Sequence, residues 1–190
     1  MPRKPDPTLK PAIVEKVAQH LLDTKLEDVS VRSLGRVLGT SAYPIVYHFG
    51  SRESLIQAVV DHLEADVVDL VLDPEGDTDA LGRHLVTVFG GLDSPERALA
   101  ARLTFELGCV ESIDGRDRER RSFRRRIAEI AAWCSAHGAC PDTAERTARA
   151  AVGAARGVQW GALVDPAGTD VDGALRAIAL EVSVGSLATA

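Results

Sequence analysis

The sequence is short of cysteine, of aromatic residues and of long apolar runs, and each shortage closes a class of explanation. Its three cysteines, Cys109, Cys134 and Cys140, form neither a CxxC pair nor a Cys/His ligand spacing. That excludes a zinc site or disulfide framework and fits reduced thiols. His62 and Asp66 stand one helical turn apart, but no third or fourth ligand accompanies them, so no metal is expected. No run approaches the roughly eighteen apolar residues that a membrane helix needs, and no basic-then-apolar leader opens the sequence. The expectation is a soluble, cytoplasmic protein with no membrane partner. A nucleophile elbow, a phosphate loop and a dinucleotide fingerprint are also missing, so neither an enzymatic activity nor a cofactor is expected.

Lysine is scarce and unevenly placed. All four lysines (Lys4, Lys10, Lys16, Lys25) lie in the first 25 residues. The net charge of -6 divides accordingly: residues 1–60 hold eight Lys/Arg against six Asp/Glu, and residues 61–190 hold fourteen against twenty-two. One end is thus suited to approach phosphates and the other is not, although a balance of +2 is a weak signal. With 190 residues, 45% of them hydrophobic, the chain can bury the cores of one small and one medium domain.

What is present is helical periodicity. Residues 1–9 carry Pro2, Pro5 and Pro7 with Arg3 and Lys4, the composition of a loose basic arm. Ile13, Val17 and Leu21 then mark a first helix ending near Thr24. Ser30 suits the N-cap of a short second helix with Val31, Leu34, Val37 and Leu38 inward, and Val29 can staple onto Leu34. Gly39 supplies a turn. A third helix runs from Ala42 to His48, with Pro44 in its first turn, where a missing amide hydrogen costs little. Ile56, Val59, Val60, Leu63, Val67 and Leu70 predict one long fourth helix over 51–72. Five further helices follow at about 78–91, 95–112, 116–137, 142–164 and 170–187. The fold class is all-α: a three-helix N-terminal domain (10–55), a connecting helix, and a helical bundle over 73–190, about nine helices in total.

Two short helices joined by a tight Gly-containing turn form the helix-turn-helix arrangement, in which the second helix enters the major groove of DNA. Here these are Val31–Leu38, Gly39-Thr40-Ser41 and Ala42–His48. An ordinary buried hairpin would not place Ser41, Tyr43, Tyr47 and His48 on so short a helix.

The residues Ser30-Val31-Arg32-Ser33-Leu34-Gly35, Gly39-Thr40-Ser41, Ile45 and Tyr47-His48-Phe49-Gly50-Ser51-Arg52-Glu53-Ser54-Leu55 resemble the DNA-binding domain of the tetracycline-repressor (TetR) family. The likeness runs from Ile13 to Ala58, about a quarter of the chain. It implies double-stranded DNA as partner, bound as a pseudo-palindromic operator by a homodimer. It also implies Ser30, Arg32, Thr40, Ser41, Ala42, Tyr43, Pro44, Tyr47, His48 and Arg52 as the DNA-binding set. The sequence departs from the family pattern at Lys25 (commonly Gly), Thr40 (commonly Val) and Val46 (commonly Tyr, whose hydroxyl lies near phosphates). Because Ala42 and Pro44 offer no side-chain donors, base reading is expected to lean on Tyr43, thymine methyls and DNA shape, with modest discrimination per half-site.

A looser likeness covers Ala155-Arg156-Gly157-Val158-Gln159 and Leu163-Val164-Asp165-Pro166, which resemble the last two helices of the family, where relatives dimerise. It implies Val152, Ala155, Val158, Leu175, Ile178 and Val182 as dimer surface. In such proteins the bundle encloses a small-molecule effector pocket, for which His84, Phe89, Arg102, Phe105, Glu106, Trp133, Gln159 and Trp160 are the candidates, and the few aromatics and many small residues point to an apolar or flexible effector. Arg102 and Glu106, four apart, could equally pair with each other. The run Arg116, Arg118, Arg120, Arg121, Arg124, Arg125, Arg126, interleaved with Asp117, Glu119 and Glu129, reads as a solvated helix with intrahelical pairs rather than a second nucleic-acid surface. The function so implied is a sequence-specific transcriptional regulator, a repressor released by an effector. The alternative is a helical ligand- or protein-binding homodimer with weak or lost operator binding.

Overall fold

A computed structural model describes residues 8–41 and 43–187, the side chain of Leu187 excepted; most of the basic arm and Ala42 lie outside the described residues. Eleven α-helices and one 3-10 turn, Leu26–Asp28, account for the regular structure there, and no described residue is in a strand. The helices are α1 (Leu9–Leu22), α2 (Val31–Val37), α3 (Tyr43–Phe49), α4 (Arg52–Leu63), α5 (Ala65–Val68), α6 (Thr78–Phe89), α7 (Pro95–Gly108), α8 (Glu111–Asp114), α9 (Arg118–Ala136), α10 (Pro141–Val164) and α11 (Val171–Leu187).

Each helix start is written locally. Ser30, Ser51, Asp77 and Ser94 accept hydrogen bonds from backbone amides in the first turns of α2, α4, α6 and α7, each such cap contributing about 1 kcal/mol. Pro95 and Pro141 occupy the first turns of α7 and α10, where no amide hydrogen is required. The start of α9 is capped from a distance. The buried Glu111 carboxylate accepts from the amides of Glu119 (2.9 Å) and Arg120 (3.0 Å), so the short α8 exists to deliver that carboxylate.

The single fourth helix expected over 51–72 is divided. Glu64 leaves helical geometry (φ -100°, ψ 9°) between α4 and α5. Its carboxylate is held by Arg118 of α9 at 2.6 Å, and Arg126 takes the carbonyls of Val67 (2.6 Å) and Leu70 (2.8 Å). Those guanidinium bonds stand in for the intrahelical ones that a continuous helix would have made. The expected solvated arginine helix is corrected in the same stroke. Arg120, Arg121 and Arg125 do pair along α9 with Asp117 and Glu129, but Arg118 and the buried Arg126 tie α9 to α4 and α5.

Two cores result. The second half buries Leu81, Leu85, Phe89, Ile130, Trp133, Leu175 and Val182 among α6, α9, α10 and α11, with α11 packed on α6 and α10 between α9 and α11. The N-terminal core gathers Ile13, Val17, Leu21, Leu34, Ile45, Leu55, Ile56 and Val60 from α1–α4, and it also contains Leu99, Leu103 and Leu107 of α7. The space that α1 and α4 leave open is therefore filled from residue 99 onward. Arg102, one turn further along α7, donates to the carbonyls of Leu21 and Thr24 at the end of α1.

Candidate nucleic-acid interface and bundle cavities

The α2–turn–α3 unit is built by three devices. Ser30 and Ser33 form a reciprocal capping box, the Ser30 amide donating to Ser33 Oγ (2.8 Å) and the Ser33 amide to Ser30 Oγ (3.0 Å). Val29 and Leu34, flanking that cap, are buried in the same core. Gly39 then turns the chain at φ +67°, a conformation that costs a side-chain-bearing residue about 1–2 kcal/mol, and its amide donates to Arg36 O. Ile45 is the inward anchor of α3, fully buried.

The other face of α3 is open. Tyr43 is 69% exposed, Val46 51% and Tyr47 61%, and the two tyrosine rings stack at 5.7 Å, one helical turn apart. His48 sits half-buried against Tyr47, edge to face. Pro44 lies half-buried in the first turn, and Ser41 Oγ accepts from the Tyr43 amide. Thr40 is exposed, its amide bound to Gly35 O. Arg32 and Arg36 are both exposed on α2, and Lys10 lies over the Phe49 ring at 5.3 Å. Ser30, Arg32, Thr40, Ser41, Tyr43, Pro44, Tyr47 and His48 thus all lie on the packed α2–turn–α3 unit.

Arg52 does not join them. Its guanidinium donates to the carbonyls of Val29 (2.6 Å) and Leu26 and pairs with Glu53, so it clips the loop before α2 onto the start of α4. Its guanidinium is thus engaged inside the domain through Nε, Nη1 and Nη2. Two residues of this face were missed. Arg36 was legible, being four residues after Arg32 and so on the same side of α2. Val46 had been noted as a departure, yet it presents a methyl-rich surface between the tyrosines.

No family model matches the chain, and no curated protein sequence matches it. The likeness lies in three dimensions. A transcriptional regulator from Rhodococcus sp. Rha1 superposes with a TM-score of 0.72 at 17% identity, covering 93% of this chain and 97% of that one. SmeT, the repressor of the Stenotrophomonas maltophilia multidrug efflux pump SmeDEF, superposes at 0.66 with 18% identity, over 94% of this chain and 88% of SmeT. A variant TetR from Acinetobacter baumannii, solved with minocycline, gives 0.59 at 16% identity, over 97% and 96%. The chain has the TetR fold.

Among the cavities of the bundle, two share one wall residue, Arg156 of α10. The larger, about 620 Å³, lies between Asp61, Glu64 and Val68 on one side and Arg118, Arg125 and Arg126 on the other. The smaller, about 400 Å³, is lined by Thr104, Phe105, Gly108, Phe123 and Arg156. Of the eight effector-pocket candidates, Phe105 lines the smaller cavity directly. Phe89 and Gln159 hold Arg156: the guanidinium stands 5.3 Å over the Phe89 ring and donates to Gln159 Oε1 at 2.8 Å, while Gln159 Nε2 donates to Phe89 O.

The remaining candidates are engaged elsewhere. Trp133 is fully buried, with Nε1 donating to Gly76 O and its ring stacked on His137. His84 meets the Glu129 carboxylate at 3.5 Å; burial alone would raise that carboxyl, but the bonds from His84 and Arg126 hold it below its usual range. Arg102 and Glu106 approach to 3.9 Å in the cleft between α7 and the N-terminal domain. Trp160 is exposed, touching Phe105 only edge to face.

The six residues expected at the dimer surface pack within the chain itself. Val152, Ala155, Leu175, Ile178 and Val182 are buried in the chain's own core, and Val158 packs against it. Among charged residues such as Glu145, Arg149, Arg176 and Glu181, α10 and α11 also expose the apolar Trp160, Val164, Leu180 and Val184. Among the described residues no helix is long and apolar enough to cross a membrane.

Proposed function

We propose that the chain is a sequence-specific DNA-binding regulator of transcription, a repressor released by a small molecule, that works as a homodimer. The observation that carries this reading is the uncovered face of α3, where Tyr43, Val46 and Tyr47 stand out on a rigid, capped and core-anchored helix. A soluble domain rarely exposes two stacked tyrosines without a partner to meet them. The two phenols offer hydroxyls to base edges or phosphates, Val46 offers apolar contact to thymine methyls, and Arg32 and Arg36 flank them as phosphate contacts.

The exposed stripe of Trp160, Val164, Leu180 and Val184 supports pairing of α10 and α11 with the same helices of a second copy. An isologous dimer of that kind sets two α3 helices about one DNA turn, roughly 34 Å, apart and calls for an inverted repeat. Ligand release is drawn from the two cavities and from the neighbours of the same fold, one a repressor and one solved with minocycline.

The test is a selection from random oligonucleotides with the purified protein at moderate and high salt. An enriched inverted repeat whose affinity falls steeply with salt is the expected result, since phosphate contacts release counterions. A second reading, a ligand- or protein-binding homodimer without an operator, is favoured by one observation, the lack of any Lys or Arg within α3. No enrichment from a dimeric preparation would establish it instead.

A further inference from the structure

Three arginines sit deep in the bundle, and only two have acids. Arg118 holds Asp61, Glu64 and Glu119, and Arg126 holds Glu129. Arg156 has no carboxylate within ion-pair distance among the described residues; its bonding partner is a neutral amide oxygen and its bed an aromatic face. Those partners position the guanidinium without neutralising it. Gln159 is itself fixed by the Phe89 carbonyl, so its oxygen is aimed at Arg156, and the Phe89 ring fixes the plane. Burial accordingly lowers the basicity of Arg156, and the attraction of Glu64 and Glu119, both engaged with Arg118, only partly opposes it. A cation kept in a low-dielectric setting without a counter-charge is costly, and an anion that arrived there would remove that cost.

The smaller cavity adds a second, independent sign of an absent occupant. Thr104, which lines that cavity, is only 6% exposed, and its buried hydroxyl has no hydrogen-bond partner among the described residues. Buried hydroxyls are nearly always satisfied. Around Thr104 and Arg156 the wall is apolar at Phe105, Phe123 and Gly108; Arg116 and Arg120 add positive charge, and the two carboxylates there are already engaged, Glu111 with the backbone amides that start α9 and Glu119 with Arg118. At about 400 Å³ it falls in the size range of small-ligand sites.

We propose that the effector is a small organic carboxylate, its carboxyl bound by the Arg156 guanidinium and the Thr104 hydroxyl and its apolar body lying between Phe105 and Phe123. This rests on the reading of the chain as a ligand-released repressor and adds a charged head to the apolar or flexible effector anticipated from composition. Arginine meets a carboxylate through two parallel N–H···O bonds, whereas a neutral alcohol or amide of the same shape leaves the charge uncompensated. Bound there, the anion also enters the field of Arg118, which lines the neighbouring cavity and whose acids are Asp61 of α4 and Glu64 just beyond its end. Its negative charge competes with theirs for that guanidinium, which loosens α9 from α4.

The experiment titrates the full-length protein with benzoate, hexanoate, octanoate and decanoate, and with benzamide and octanol as uncharged counterparts. Calorimetry reads binding and the selected operator reads release. At least one acid is expected to bind saturably at least about tenfold tighter than its neutral counterpart, and Arg156→Gln is expected to lose at least about that factor. Arg156→Gln should fold at least as well as the parent, since it removes an uncompensated charge; Arg156→Lys and Thr104→Val check that the loss follows the fork and the hydroxyl. Equal binding of octanol and octanoate, unchanged affinity in Arg156→Gln, or no binding by any acid overturns the proposal. A protein that binds its operator and ignores every acid fails this inference alone. One that binds an acid through Arg156 and has no operator fails the regulator reading alone.

Discussion

Arg118 offers the sharpest test of how the two halves are joined. Its side chain is 15% exposed and reaches Asp61 at 3.0 Å, Glu64 at 2.6 Å and its neighbour Glu119. Arg118→Met keeps the length and removes the charge, leaving three acids around an apolar stem. Asp61 is mostly in solvent and its pair is worth under about 1 kcal/mol. Glu64 and Glu119 are largely buried, and stranding them costs on the order of 3 kcal/mol, the low end for buried pairs broken on one side. For a chain of this size that lowers Tm by about 6–12 °C. Burial already raises the Glu119 carboxyl, and without Arg118 it rises further. A raised carboxyl favours the folded state at low pH and loses that benefit as pH climbs, so the deficit of the variant should shrink from pH 7 to pH 5. Urea denaturation at both pH values measures it, with Arg118→Met/Glu64→Gln as the rescue. A loss below about 1 kcal/mol, or no recovery in the double variant, would refute the view that this ionic clasp fastens the reader to the bundle.

Other outcomes follow from single contacts. Arg52→Gln should cost about 1.5–3 kcal/mol in urea denaturation through its lost bonds to Val29 O and Leu26 O, with operator affinity little changed when measured well below the unfolding transition. The Glu129 carboxyl, burdened by burial but held low by His84 and Arg126, contributes stability above the ordinary carboxylate range that disappears as pH falls through its lowered value. Glu129→Gln should therefore be less stable than the parent at pH 7, with the gap closing below about pH 4.5. Trp160→Asp should turn a dimer into a monomer of unchanged helicity by light scattering, and a persistent dimer would move the interface elsewhere.

Local signals carried much of this structure. The Ser30 cap, the Gly39 turn and the periodicity of Ile13, Val17 and Leu21 act within a few residues, and each acts where the sequence indicated. Helix existence was legible for the same reason. What failed was whatever depends on a distant partner. Nothing near Glu64 says that the helix must break, because the cause is Arg118, 54 residues later. The α9 arginines look like a solvated stripe until α4 and α5 are laid beside them. The likeness to the family put the dimer surface at residues such as Val152, Ala155 and Val182, which the chain's own core holds, while Trp160, Val164, Leu180 and Val184 stand exposed on the same two helices; periodicity does not say which apolar side is the inside. Arg52 was placed among the DNA contacts by family likeness, and its bonds to Leu26 and Val29 close a loop that no spacing rule describes.

The presence of Leu99, Leu103 and Leu107 in the N-terminal core also bears on how the chain is made. Synthesis proceeds at about 5–20 residues per second, and N-terminal domains commonly fold as they emerge. This one lacks part of its interior until α7 has left the ribosome, well after α4 is complete. During that interval Leu21, Ile56 and Val60 line a trough without its filling. A gene fragment ending after α4 would encode the reader's surface without the means to hold its shape, so the two halves cannot be shuffled between proteins as separate exchangeable parts.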